Sequence, residues 1–310
     1  MKPSHSASAS GYHFHNRFAC CQRKGYISFG PPRLEPMFVA TPLLVGGAFH
    51  AGKAEFYRTG RDKQAIRLLK DELIERKGEF QNRDEYLSAL DRAPAMLSSW
   101  IAEFGHDDLK HLDIIDVERP IKVPFPGRPN WNFTMRLDMI AQDRFDNLLI
   151  FETKTSSWSI KSTLINIQYG DQVTGYWWGA EKQYKRKVTA VVPDITFFST
   201  NATDQEAIKN YRAEFVYREP EDIQFFARST VQQASEITQK MKAAYAGKDP
   251  SIFPRNGYYC NAYNRPCEFA DICRMDLTAK SKVPTGFRRR AGRFKVPEIF
   301  EPIEDAIAGS

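Results

Sequence analysis

The stretch that most constrains this chain runs from Arg136 to Thr155, RLDMIAQDRFDNLLIFETKT. Asp138 stands before a turn signal at Asp146-Asn147, and an apolar run, Leu148 to Phe151, follows and ends in Glu152-Thr153-Lys154. Apolar segments on either side of an Asp-Asn pair predict two strands joined by a tight connection. Alternate side chains of a strand share a face, so Glu152 and Lys154 point the same way. Two acids and a lysine at the ends of neighbouring strands suit a metal-dependent phosphodiesterase. Hard divalent cations take oxygen ligands, and an ammonium beside them can orient water or neutralise charge building on a phosphate. Alone, the same pattern also describes a surface strand pair with a Glu–Lys ion pair.

The surroundings predict an α/β protein: a mixed β-sheet flanked by helices. Residues 1 to about 16 read as a disordered lead-in rich in Ser, Ala and His. Helical patterns begin at Leu44, break at Gly60, and resume from Arg83 to Phe104 with Pro94 as a break or kink. Strands are expected over Asp113 to Val117, Ile121 to Val123, Phe133 to Ile140 and Leu148 to Lys154. One helix is expected from Leu164 to Tyr184, with Gly175 and Gly179 allowing close packing on a sheet. Strands at Val188 to Val192, Ile195 to Phe198 and Glu214 to Tyr217 precede a long helix, Asp222 to Ala246. No apolar run is long enough to span a bilayer and no secretion signal is evident, so a cytoplasmic protein is expected, in a host cytoplasm if phage-encoded.

Four features around the acid pair resemble the PD-(D/E)XK nuclease superfamily, in its RecB-like and CRISPR-adaptation-exonuclease branch with phage homologues. Gly46 to His50 is similar to a G-x-x-x-H motif. Arg136-Leu137-Asp138 is similar to a G-x-x-D motif without its glycine. Glu152-Thr153-Lys154-Thr155 is similar to D/E-x-K-T, and Gln172 to Tyr176 to Q-x-x-x-Y. Gln172 and Tyr176 are four apart and share a helix face. The resemblance implies a restriction-endonuclease-like core. It implies Mg²⁺ or Mn²⁺ held by His50, Asp138, Glu152 and the Thr153 carbonyl, with Lys154 catalytic and Gln172 and Tyr176 facing the site or the DNA. Residues 17–280 would form this nuclease domain, followed by a tail, 281–310, that is basic and then acidic.

Five cysteines, Cys20, Cys21, Cys260, Cys267 and Cys273, cluster in a chain expected to be reduced, where such thiols bind metal more often than they pair, the plain alternative being unliganded thiols. Three C-terminal thiols and one N-terminal thiol would complete a four-ligand site joining the two ends of the chain. The spacing does not choose the metal. The resemblance implies a [4Fe–4S] cluster on Cys21, Cys260, Cys267 and Cys273, with zinc as the alternative and Cys20 as the rival N-terminal ligand.

A net charge of +6 and the basic run Arg288, Arg289, Arg290, Arg293, Lys295 fit either a polyanionic partner or a solvated tail. DNA is the expected substrate, with Trp158, Lys161, Gln172 and Tyr176 as groove candidates. No helicase motif is present, so an unwinding or recombination partner would be a separate chain. The competing reading is a nuclease-like fold that binds DNA ends or a partner without hydrolysis.

Overall fold

The structure, a computed structural model, describes residues 11–157, 159–198, 208–212 and 214–290. In chain order the elements are α1 (Tyr12–Cys20), α2 (Gln22–Phe29), β1 (Leu34–Pro36), α3 (Thr41–Thr59), α4 (Asp62–Glu75), α5 (Arg83–Trp100), α6 (His106–His111), β2 (Leu112–Phe125), β3 (Arg128–Asp143) and β4 (Leu148–Ser156). They continue with α7 (Ile160–Tyr169), α8 (Asp171–Tyr184), β5 (Val188–Phe198), β6 (Ile208–Tyr211), α9 (Pro220–Tyr245) and β7 (Phe287–Arg289). The α/β architecture read from the sequence is the one observed. Its main sheet has five strands in the order β2-β3-β4-β5-β6. β4 lies antiparallel to β3 and parallel to β5, and β6 returns antiparallel to β5. Among the described residues no helix is long and apolar enough to cross a membrane.

The chain divides into two compact units. One comprises 38–123 and 135–226. Its core packs Leu44, Phe49, Phe56, Leu69, Met96 and Trp100 from the helices against Met139, Phe151 and Val192 from the sheet. The other gathers both chain ends with 124–134. There α1 and α2 bury Phe14, Phe18, Tyr26 and Ile27 with Ile237 and Met241 of α9 and with Phe253, Phe269 and Ile272. Arg23 donates to the carbonyls of Cys273 at 3.1 Å and Met275 at 2.6 Å, and Tyr26 to that of Leu277 at 2.7 Å.

Several boundaries differ from the sequence reading. Order begins by Tyr12, because α1 places Phe14, His15 and Phe18 in a core. Pro94 does not break α5, whose Ala93, Met96 and Leu97 are fully buried around it; that burial offsets the hydrogen bond a proline removes. The helix expected over Leu164 to Tyr184 is two helices meeting at Gly170, where a Cβ would come within 2.3 Å of the Asn166 carbonyl oxygen. β5 runs unbroken through Pro193. Of the strand expected at Glu214 to Tyr217, only the Val216 bridge forms. Gly179 does pack closely, since a Cβ there would strike the Met135 side chain at 2.1 Å.

The basic run is partly structural. β7 pairs with β1, Arg288 donates to Glu35 at 2.8 Å, and Arg289 donates to the Pro32 carbonyl at 2.6 Å. Arg293 and Lys295 lie outside the described residues.

Candidate active site

The acid pair is assembled by the hairpin between β3 and β4. Asp143 holds its turn, accepting from the N–H groups of Phe145 at 2.8 Å and Asn147 at 2.9 Å, while Asp146 takes a left-handed φ of 66°. The recorded pairing runs from Gln142–Leu148 up to Met139–Phe151. The next residues in that register are Asp138 and Glu152. There the ladder stops: the Thr153 N–H donates at 2.7 Å to Asp138 Oδ2, a side chain in place of a strand carbonyl.

Helix α3 brings His50 to the other oxygen. Its Nδ1 is 3.2 Å from Asp138 Oδ1 and 3.2 Å from Glu118 Oε1. Ligand atoms of His50, Glu118 and Asp138 all lie within 4.8 Å of one another. Ligands on opposite sides of a Mg²⁺ ion are about 4.2 Å apart at 2.1 Å each, so these three suit one small cation. Glu118 was absent from the sequence-derived site. It sits inside β2 with φ 52°, a conformation that side chains with a Cβ rarely adopt. The two short strands expected on either side of it are one strand bent at this residue. Such local strain clusters at functional sites. The available sequence signal was a charged Glu-Arg-Pro interruption between two strand-like segments.

Glu152 and Lys154 lie on the β4 strand and form an ion pair. Glu152 is fully buried, and neither of its oxygens accepts a well-directed hydrogen bond from the described residues. A buried carboxylate with Lys154 as its charged partner has lone pairs left over that suit a cation. Lys154 Nζ also reaches Gln172 Oε1 at 3.4 Å, and Gln172 Nε2 donates to the Tyr176 hydroxyl at 2.8 Å. Both latter residues come from α8, as their spacing predicted. Thr153, between Glu152 and Lys154 in sequence, is buried, and its hydroxyl accepts from Lys53 Nζ at 2.6 Å. Trp158 lies outside the described residues, and Lys161 is exposed on α7.

The charges are mutually compensating. Burial depresses His50, but the Asp138 and Glu118 carboxylates reverse this and push it up to about 10. Burial lifts Asp138, yet His50, Lys154 and the Thr153 N–H hold it below the usual carboxylate range. Burial pushes Glu152 up to about 7 against the pull of Lys154. Burial also drives Tyr176 well above an ordinary phenol.

In the other unit, Cys21, Cys260, Cys267 and Cys273 line one cavity of about 370 Å³, together with Lys24, Arg255 and Arg274. Cys20 does not line it, and its thiol points to Asn16 Oδ1 at 3.4 Å. Cys21 Sγ accepts the Asn256 N–H at 3.4 Å. Burial raises the Cys267 and Cys273 thiols. Among the described residues no three of the four thiols bring their sulfurs within 4.8 Å of one another.

No family model and no curated protein matches the chain. Among solved structures, a protein of Eubacterium rectale named provisionally as an exonuclease aligns over 89% of this chain and 90% of its own, with a TM-score of 0.51 and 13% identity. A second structure, SSO0001, covers 79% of this chain and 89% of its own with a TM-score of 0.31 and 14% identity, too low to carry an argument. The first likeness shows a shared fold.

Proposed function

We propose that this protein is a Mg²⁺- or Mn²⁺-dependent deoxyribonuclease, acting as an exonuclease in DNA recombination, repair or processing, phage or cellular. The observation that carries the reading is the convergence of His50, Glu118 and Asp138 on one cation-sized space, alongside the Glu152–Lys154 pair. His50, Glu118, Asp138 and Glu152 would hold the ion, with the Thr153 carbonyl as a further oxygen. A bound divalent ion supplies positive charge for phosphate oxygens and a more acidic water. Lys154, about a third exposed, can meet a phosphate while its base remains fixed on β4. Tyr176 orients the Gln172 amide, and Gln172 in turn holds the ammonium.

In the same reading Cys21, Cys260, Cys267 and Cys273 hold a [4Fe–4S] cluster that fastens the two chain ends. Lys24, Arg255 and Arg274 offset its negative charge. Protein purified without oxygen should be brown, and Cys267→Ala should lose the visible band. Colourless protein with stoichiometric zinc would replace iron by zinc in this role.

The test of activity is end-labelled single- and double-stranded DNA with Mg²⁺ or Mn²⁺, comparing wild type with Lys154→Ala and Asp138→Asn. Hydrolysis lost in both variants is expected. Wild type no faster than Lys154→Ala sinks the reading, and tight binding in EDTA without hydrolysis in either metal would make the protein a binder of DNA ends.

A further inference from the structure

Behind the candidate active site runs a buried chain of alternating charges that the proposed reaction does not use. Lys53 pairs with Asp194, Asp194 with Arg212 at 2.8 Å, and Arg212 with Asp108 at 2.7 Å. Trp100 Nε1 donates to Asp194 Oδ1 at 3.0 Å, and the Tyr57 hydroxyl donates to Asp108 at 2.6 Å. Lys53 and Asp194 are almost wholly buried. Buried ion pairs rarely beat well-packed apolar side chains for stability, so stability is a weak reason for four charges here.

The chain has one exit toward the site. Lys53 Nζ, besides meeting Asp194, donates at 2.6 Å to Thr153 Oγ1. Thr153 stands between Glu152 and Lys154, and its own N–H holds Asp138 Oδ2 at 2.7 Å. Lys53 lies three residues after His50 on α3, so one helix reaches Asp138 from two sides. His50 meets Oδ1 directly, and Lys53 reaches Oδ2 through Thr153.

We infer that Lys53 is a positioning residue: through the Thr153 hydroxyl it clamps the end of β4 and thereby fixes Asp138, Glu152 and Lys154 relative to one another. The catalytic part of this inference rests on the reading proposed above; the clamp itself does not. The ammonium supplies the fixed donor, and Asp194 with Arg212 holds that donor in place. A displacement of about 1 Å at reacting groups costs on the order of 100-fold in rate, so a partial loosening is read as a smaller loss.

Thr153→Val separates this role from general stability. It removes the hydroxyl, keeps the backbone carbonyl and N–H, and leaves Lys53 paired with Asp194. Expected is a fall in kcat on the order of 10-fold, with KM and metal-free DNA affinity unchanged, and recovery in Thr153→Ser. Amide hydrogen exchange at residues 152–154 should accelerate in Thr153→Val and in Lys53→Met, by more than at amides elsewhere in the sheet. A Thr153→Val protein with wild-type kcat and wild-type exchange overturns the inference and leaves the nuclease reading intact. If wild type and Lys154→Ala are equally inactive, that reading has failed instead, and exchange alone decides the clamp: faster exchange upholds it and unchanged exchange overturns it.

Discussion

His15 should make this protein acid-sensitive well above the range where carboxylates titrate. It sits on α1 with 6% of its surface exposed, against the rings of Phe14 at 5.4 Å, Phe133 at 5.8 Å and Phe125 at 6.2 Å. Its Nδ1 has no hydrogen-bond partner among the described residues. Burial lowers its pKa from 6.5 to about 4, and a hydrogen bond with Gln233 opposes this only in part. The folded state therefore holds a neutral imidazole while the unfolded chain protonates near 6.5. The stabilisation is complete above pH 6.5 and is lost as pH falls through the window down to about 4. At about 1.4 kcal/mol per pKa unit the full loss is about 3.5 kcal/mol, and about 2 kcal/mol of it is gone by pH 5. Urea unfolding followed by circular dichroism, at pH 7 and pH 5, measures it against His15→Leu, which cannot charge. Wild type should lose about 2 kcal/mol more than the variant between the two pH values. Equal losses would refute the argument, whatever the variant's stability at neutral pH.

Gly52→Ala should cost about 1–3 kcal/mol in the same assay, because a Cβ there would meet Leu97 Cδ2 at 2.6 Å and the Ala65 carbonyl at 3.1 Å. Gly78→Ala, with nothing within 4 Å, should be close to neutral. Cys21→Ser should abolish the visible absorbance of anaerobically purified protein, whereas Cys20→Ser should keep it, since only Cys21 faces the other three thiols. Glu118→Gln should raise the Mn²⁺ concentration needed for half-maximal activity about tenfold or more, and should reduce the Mn²⁺-induced rise in melting temperature to match.

The parts of the site that lie close in sequence were readable there. The Asp146-Asn147 signal placed a hairpin turn between Asp138 and Glu152, while the register that sets them opposite each other, centred on residue 145, came from the structure; strand alternation places Lys154 beside Glu152. Gln172 and Tyr176 needed only helical spacing. Glu118 was hidden because Pro120 reads as the end of a strand, and nothing local to the sequence announces its left-handed φ or its approach to His50, 68 residues away. Lys53, Asp194 and Arg212 were hidden for a different reason. A charge inside an apolar pattern reads as a surface position. These charges neutralise one another only when the fold joins residues 141 and 18 apart in sequence.

One sequence motif gains a physical meaning from the structure. In Gly46 to His50 the histidine supplies the ring, and the glycine sets the distance. A Cβ on Gly46 would stand 3.2 Å from Thr155 Oγ1, closer than side chains ordinarily approach. The missing side chain therefore lets α3 settle on the end of β4, one helical turn before His50. Lys53 continues the same helix past His50 to the Thr153 hydroxyl. Helix and strand are thus in contact at Gly46–Thr155 and Lys53–Thr153, with the His50–Asp138 contact between them along α3. A helix held on both sides of His50 has little freedom to slide along the strand. The 3.2 Å approach of its imidazole to Asp138 follows from that restraint as much as from the attraction between the two groups.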